Sequence, residues 1–446
     1  MNDWLRKDLK YNWHPYTQMS RLEVEPPLLI ERAEGVKLYD GDGRWYYDAI
    51  SSWWCNVHGH SHQRIREAIE KQMRELDHVL FAAVTHRPAI DLSERLVGIV
   101  PPGLERVFYS DDGSTAVEVA LKMSLQHWRN RGRPEKCRFI CLEPGYHGDT
   151  IGCMSVSGVK SFRRAFGSVM FDSLGVPAPC CFRCPMGLDR EQCSLECLDL
   201  LEKTVSENAD TVAALIMEPL LLAAGGMIVY PAEYLRRAAE LAHRCGVQLI
   251  LDEVATGFGR TGTMFACEQA EVSPDFLCLS KGLTSGTMPL AATLTTGEVY
   301  DSFLGEAGGA TTFYHGHTYT ANPIGCAAAL ASLSLFEEEG TLSNVHERAG
   351  ELAEAVRPWA DLPHVADVRN LGMVAAAELV REEPSNEPLP AWDPLLRSIY
   401  RGALDNHLLL RPLGNVVYLY PPLCVSADEL ADMAGRAFEV LAQVLA

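Results

Sequence analysis

Two apolar runs in this chain end on residues that can do chemistry. In VQLILDEVATGFGRTG the run closes on Asp252, and in PDFLCLSKGL it closes on Ser280 and Lys281. If both runs are strands of one open α/β sheet, an acid and an amine emerge at the sheet edge where such folds bind ligands. A strand-end salt bridge is the plain alternative. An amine among apolar neighbours, however, has its ammonium form disfavoured by desolvation, which lowers its pKa towards that of a usable nucleophile. Such an amine condenses with an aldehyde. The aldehyde cofactor that needs both an amine and a carboxylate is pyridoxal 5′-phosphate (PLP), whose ring nitrogen must stay protonated to withdraw electrons. Lys281 is therefore expected to hold PLP as a Schiff base, with Asp252 at the pyridine nitrogen.

A phosphate site is also required, and SDDGSTAVEVALKM supplies a candidate: a strand, a glycine turn, then a helix opening on Ser114 and Thr115. Free backbone N–H groups and the positive end of the helix dipole would face the ligand there, and Gly113 lets the backbone come close. Gly-Ser-Thr is equally a common helix cap, so the motif is weak by itself. In EPGYHGDT, Tyr146 follows the apolar run RFICL on a glycine-flanked loop, where a flat ring could stack on a cofactor; an ordinary turn tyrosine is the alternative. In YHGHTYTANP, Thr318 offers another phosphate donor, or else a simple capping loop.

These residues must be positioned by a scaffold, and the middle of the chain repeats one pattern of apolar run, polar turn and amphipathic stretch. Strands are expected at 106–110, 138–142, 213–217, 248–252, 276–279 and 290–295, and helices at 114–129, 234–245 and 322–338, the last opening on Asn-Pro. Runs apolar at nearly every position imply burial on both faces, hence an α/β fold with a mostly parallel central sheet flanked by helices. Residues 61–335 read as this large domain. Residues 336–446 read as a smaller α+β C-terminal domain, with a helix at 344–355, a strand at 374–379, a proline-rich loop at 383–394, a further helix and a strand at 416–420. Residues 1–60, with a hairpin around 40–43, are expected to pack beside the small domain.

Composition narrows the function classes. The 446 residues carry 39 Lys and Arg against 59 Asp and Glu, a formal charge of −20, which repels phosphodiester backbones and anionic membrane surfaces. No nucleic acid or membrane partner is expected. No apolar stretch approaches the roughly 20 residues that cross a bilayer, and the opening MNDWLRKDLKYNWHPYTQM has no signal-peptide core. A cytoplasmic location is the expectation. Most of the fourteen cysteines are expected to be reduced, with Cys55, Cys141, Cys245, Cys278 and Cys326 as small buried apolar groups. Cys181, Cys184, Cys193 and Cys197 are spaced CxxC, eight residues, CxxxC, which could hold zinc or an iron–sulfur cluster; a plain loop of reduced thiols is the preferred reading, with no metal. His58, His60 and His62 alternate as in a metal strand, but a polar turn is preferred.

With those residues in place, the chain from about residue 11 onward resembles the class III PLP-dependent aminotransferases of fold type I. The most specific stretch is LDEVATGFGRTGTMFACEQAEVSPDFLCLSKGL, with acid and lysine 29 positions apart as in the family signature. WHPYTQM, SSWWCNVHGHSH and LLLRPLGNVVYLYPP resemble the members that act in biotin biosynthesis, moving the amino group of S-adenosylmethionine to 8-amino-7-oxononanoate to give 7,8-diaminononanoate. The resemblance implies roles. Trp53, Trp54 and Tyr146 would wall the substrate pocket, Tyr16 would sit by the amino donor, and Arg411 would pair with the keto acid carboxylate through its two-point fork. Gly113 and Ser114 would bind the phosphate. Gly316, on the substrate side, and His317 and Thr318, on the cofactor side, would reach across a two-fold axis into the neighbouring subunit of a homodimer. A ping-pong exchange follows, with the freed Lys281 moving the proton.

One departure bears on the donor. Many adenosylmethionine-using members resemble HGPT where this chain has HGHT, and a histidine there is similar to lysine-using relatives; Tyr16 after Pro15 points to adenosylmethionine. Lysine as donor, another ω-amino acid aminotransferase, a metal or redox module on the cysteine insert, and a PLP-fold binding protein without chemistry are the alternatives.

Overall fold

The computed structural model describes residues 2–306, 308–381 and 387–446. Seven strands form its main sheet: β1 (Leu104–Ser110), β2 (Arg138–Glu143), β3 (Leu174–Pro177), β4 (Val212–Met217), β5 (Gln248–Asp252), β6 (Phe276–Leu279) and β7 (Ala291–Thr296). Their spatial order is β1-β7-β6-β5-β4-β2-β3. The sheet is α/β and mostly parallel, as expected, and every residue of β4 and β5 is buried, which is why these strands read as unbroken apolar runs.

Two details of the sheet were not foreseen. β7 runs antiparallel to both β6 and β1. The connection from 280 to 290 is too short for the crossover helix that a parallel return needs. β3, with the sequence LGVP, lies at the sheet edge, where glycine and proline are tolerated and the strand signal is weak.

Two helices pack on the sheet, α1 (Gly113–Asn130) and α2 (Ala232–Arg244), and a third, α3 (Pro323–Glu338), packs against the turn Lys281–Thr284. α1 begins with a capping box in which the Asp112 carboxylate accepts from the Thr115 N–H and the Thr115 hydroxyl accepts from the Asp112 N–H. Helix geometry leaves the Gly113 and Ser114 N–H groups without an intrahelical partner. α3 starts at the Asn-Pro pair, with the Asn322 side chain accepting from the N–H groups of Ile324 and Gly325.

Towards the N-terminus, strands Ile30–Glu34, Lys37–Asp40 and Trp45–Asp48 pair antiparallel, and the expected hairpin turns at 40–44. Trp45–Asp48 then pairs in parallel with Leu408–Leu409, so the two ends of the chain share one small sheet. Strands Val365–Leu371, Val374–Leu379 and Val416–Leu419 form an antiparallel sheet, accompanied by helices Thr341–Val356, Pro394–Asp405 and Ala427–Leu445. Of the proline-rich stretch expected at 383–394, residues 383–386 lie outside the described residues.

All fourteen cysteines are free. Cys141, Cys278 and Cys326 are buried, whereas Cys55 and Cys245 are only half-buried, a correction to the expectation for those two. Cys245 caps the surface end of α2, and Cys55 ends the SSWW turn against Gly286. His60 and His62 serve separate pairs, with Asp48 at 2.8 Å and Glu339 at 3.0 Å. No helix among the described residues is long and apolar enough to cross a membrane.

The opposite edge of the sheet, away from the site, is knitted by one buried cation. The Lys136 ammonium donates to the carbonyls of Ala209, Val212 and Gly246 at 2.7, 3.0 and 2.8 Å, and its side chain is almost wholly buried. Lys136→Met would leave three carbonyls without their donor. Its expected effect is a loss of about 3 kcal/mol in chemical denaturation with the folded circular dichroism unchanged.

Candidate active site

The carboxyl ends of the parallel strands converge on one rim. In the β5–β6 register Asp252 stands opposite Cys278, so Lys281 emerges three residues beyond the acid's cross-strand partner. The 3₁₀ turn Lys281–Thr284 follows at once, and Lys281 itself has φ 41°, a left-handed conformation that a non-glycine side chain adopts only under constraint. Its Nζ lies 5.0 Å from the Trp54 ring centroid. Burial holds its pKa below the ordinary lysine value, against the opposing pull of Asp252, Glu218 and Cys55. The amine is thus desolvated yet faces two acids.

Asp252 is almost wholly buried and fixed on both oxygens. Oδ1 accepts from the Val254 N–H at 3.0 Å, and Oδ2 is 2.8 Å from His147 Nδ1. An Nδ1–H on His147 would donate to that oxygen. His147 Nε2 is buried with no hydrogen-bond partner among the described residues.

The loop after β2 carries two more polar groups of the site, Tyr146 and Asp149. Glu218, which ends the β4 run, accepts from the Tyr146 N–H at 2.9 Å and from the Ala223 N–H at 2.9 Å. Burial pushes its carboxyl up to about 7, the neighbouring His147 opposing that rise. Tyr16 donates to the Asp149 carboxylate at 2.5 and 2.7 Å, which leaves Tyr146 as donor in its 3.2 Å contact with the Tyr16 oxygen. Burial and the bond to Asp149 both raise the Tyr16 pKa, and burial and Tyr16 raise that of Tyr146, so both phenols stay protonated.

Trp53 and Trp54 sit in a turn with three left-handed non-glycine residues, Ser51, Ser52 and Trp54, at φ 49°, 60° and 66°. That strain is held by Asp48, which accepts from the Ser52 N–H and hydroxyl at 2.7 and 2.8 Å, and by the Ser51 hydroxyl donating to the Tyr420 carbonyl at 2.6 Å. Trp54 is buried and donates to the Tyr418 hydroxyl at 3.1 Å, while Trp53 remains open at the mouth. Arg411 lies 5.7 Å from the Trp53 ring and donates to the Tyr16 carbonyl at 3.2 Å.

A phosphorylated pyridine fits these residues. A Cβ on Gly113 would come within 2.6 Å of Val254 Cγ1, and one on Gly148 within 2.2 Å of the Ser114 hydroxyl, so the two glycines bring the start of α1, the Tyr146 loop and the Asp252 turn into one cradle. Asp252 keeps lone pairs for a ring N–H, and the amine stands in reach of the same carboxylate's field.

One chain therefore brings together Tyr16, Trp53, Trp54, Gly113, Ser114, Tyr146, Asp252, Lys281 and Arg411. Gly316 and Thr318 are not among them: both are exposed, on a loop tied to α1 by Lys122 and His315 at 2.8 Å. His317 Nε2 lies 3.6 Å from Asp111, beside the phosphate cradle, and its Nδ1 accepts from the Tyr319 N–H at 3.2 Å. His147, Asp149 and Glu218 were missed as site residues. Glu218 obeys the rule that exposed Asp252, a carboxylate ending an apolar run, while His147 and Asp149 sat unread within EPGYHGDT.

The cysteine insert brings Cys181, Cys184, Cys193 and Cys197 near one another. Among the described residues no three His, Cys, Asp or Glu side chains could hold an ion. Burial, with Cys193, Cys184 and Cys181 nearby, pushes the Cys197 thiol up to about 11, so it stays protonated. The insert is instead anchored by Arg183, which donates twice to Glu378 Oε1, at 2.9 and 2.8 Å.

Comparison with known proteins agrees with this geometry. Residues 18–441 match the family model described as aminotransferase class-III. An adenosylmethionine-8-amino-7-oxononanoate aminotransferase from Geobacter sulfurreducens is 46% identical over 96% of this chain and 94% of its own. The crystal structure of the protein of that name from Methanocaldococcus jannaschii is 40% identical, with TM-score 0.94 over 99% of this chain and 98% of that one. An (S)-enantioselective omega-transaminase from Thermomicrobium roseum shares the fold at 30% identity, with TM-score 0.94 over 100% of this chain and 98% of that one. The chain belongs to the class III aminotransferases and is a PLP-dependent transaminase of fold type I.

Proposed function

We propose that this enzyme transfers the amino group of S-adenosylmethionine to 8-amino-7-oxononanoate, giving 7,8-diaminononanoate for biotin synthesis. The observation that carries the reading is the mouth of the site, where a guanidinium with most of its donors open, Arg411, stands beside the aromatic ring of Trp53 and the Tyr16–Asp149 pair. Arg411 offers a two-point partner to the carboxylate of a long keto acid. Tyr16 and Asp149 offer hydrogen bonds to an amino donor. The relatives named for this reaction, at 37–46% identity, support it.

PLP, when bound, supplies the electron sink that stabilises negative charge at the carbon losing its proton. Gly113 and Ser114 would hold the phosphate through the N-terminus of α1. Asp252 would hold a proton on the ring nitrogen, and His147 would keep that carboxylate aimed. Tyr146 would wall the ring. Lys281 would bind the aldehyde carbon and, once displaced by a substrate amine, move a proton between the substrate carbon and the cofactor carbon; its lowered pKa makes the neutral base accessible.

The exposed loop carrying Gly316, His317 and Thr318, flanked by Tyr314 and Tyr319 with 77% and 60% exposure, fits a face that completes a second subunit's site in a homodimer. The same reading divides the chain at 60 and 335 and puts it in the cytoplasm, where fourteen free thiols suit a reducing compartment. His317 favours one second reading, lysine as the donor to the same acceptor.

Three measurements test the proposal. Supplied with 8-amino-7-oxononanoate, the enzyme is expected to turn over with S-adenosylmethionine and not with lysine; the reverse establishes the second reading, and inactivity with both rejects the assignment. Lys281→Ala is expected to lose the visible band of the bound cofactor and at least about 100-fold in rate. Gly148→Ala, which drives a methyl into the Ser114 hydroxyl at a residue with φ 129°, is expected to weaken cofactor retention on gel filtration and to lower the melting temperature of the cofactor-free protein.

A further inference from the structure

Phe162 stands between the two tyrosines of the site. Its ring centroid is 5.1 Å from that of Tyr16 at an interplanar angle of 72°, and 5.8 Å from that of Tyr146 at 87°. Tyr16 meets Trp53 in the same manner, at 5.8 Å and 73°. Four rings in series, each nearly perpendicular to the next, make a set of corners instead of one flat wall. A planar group laid on the face of one ring presents its edge to the following ring, and both contacts are favoured by the ring quadrupoles.

The turn carrying Phe162 is fastened to the Tyr146 loop. The Gly158 N–H donates to the Gly145 carbonyl at 2.7 Å, the His147 N–H donates to the Ser157 hydroxyl at 3.0 Å, and Arg163 donates to the Ser157 carbonyl at 2.5 Å. A Cβ at Gly158 would lie 2.7 Å from Glu143 Cα, so the approach depends on glycine. Phe162 is thereby tied to the Tyr146 loop, and it is only partly buried and leaves ring surface open.

We infer that Phe162 is a specificity residue for the amino donor, its ring contacting the purine of the adenosyl group. The inference rests on the proposed donor. Of the two substrates in that reaction only the donor carries a flat aromatic group: the keto acid is an aliphatic chain, and so is the alternative donor lysine. An aromatic corner at Phe162 adds nothing specific for either chain, whereas stacking of a base on an aromatic ring is worth enough to set a preference.

The holoenzyme carrying Phe162→Leu retains apolar bulk and loses the π face. KM for S-adenosylmethionine is expected to rise roughly tenfold, KM for 8-amino-7-oxononanoate to stay as in the wild type, and Phe162→Trp to restore the donor value. Calorimetric binding of 5′-methylthioadenosine, which has the purine but no amine to react, is expected to weaken by the same factor in Phe162→Leu. An unchanged donor KM, or an equal rise for both substrates, overturns the inference and leaves the proposed reaction standing. A wild type inert with S-adenosylmethionine overturns the reaction itself, and this inference with it.

Discussion

A buried carboxylate and a half-buried amine stand at the ends of two adjacent parallel strands, and the rest of the site is arranged around keeping them there. Burying Asp252 costs free energy unless its oxygens are partnered, and both are, by the Val254 N–H and by His147. Among the described residues Lys281 has no such partner, so desolvation weighs against its ammonium form, opposed by the field of Asp252, Glu218 and Cys55. The pair could not be made into a tight salt bridge without losing what a cofactor would use, a free amine on one side and an aimed acid on the other. The parallel register, Asp252 opposite Cys278, fixes that offset in the backbone.

Strain and buried acids collect at this rim. Lys281 and the SSWW turn occupy left-handed conformations that their side chains disfavour, and dense hydrogen bonding from Asp48, Tyr420 and Arg260 over-determines the turn. Two glutamates behind the site, Glu218 and Glu253, are pushed by burial to about 7. A carboxyl whose folded pKa lies above its unfolded one near 4.5 disfavours the folded state increasingly as pH rises from that value to about 7, because it must ionise in a dry place. Glu218 offsets part of this by accepting two backbone N–H groups, and in doing so it pins the loop that carries Tyr146.

The mouth of the site draws on both ends of the chain. The parallel pairing of Trp45–Asp48 with Leu408–Leu409 sets Asp48 opposite Leu409, so Trp53 and Arg411 both lie just beyond one short ladder. Arg411 then closes on the Tyr16 carbonyl, and Tyr16 closes on Asp149 and Tyr146. Groups hundreds of positions apart form a single wall because two pairs of strand residues are in register. Under the proposed function, selectivity for substrates resides in this wall and the proton chemistry in the rim below it.

Apolar periodicity and strand-end residues were enough to read the sheet, the helices α1 to α3, and the Asp252 and Lys281 pair, because buried parallel strands must be apolar throughout and chemistry can only appear where they stop. β5 and β6 matched their expected bounds for that reason. The antiparallel return of β7 and the edge strand β3 were not legible, since direction depends on connection length and an edge strand tolerates glycine and proline. His147 and Glu218 were beyond reach for another reason: a histidine or glutamate becomes a partner of the site only through what folds against it, here Asp252 and the Tyr146 N–H. The amino-acid sequence by itself determined which strands exist and which reactive side chains end them; the tertiary structure alone decided which of those ends meet, because hydrogen-bond register and burial are properties of pairs of segments and not of either segment.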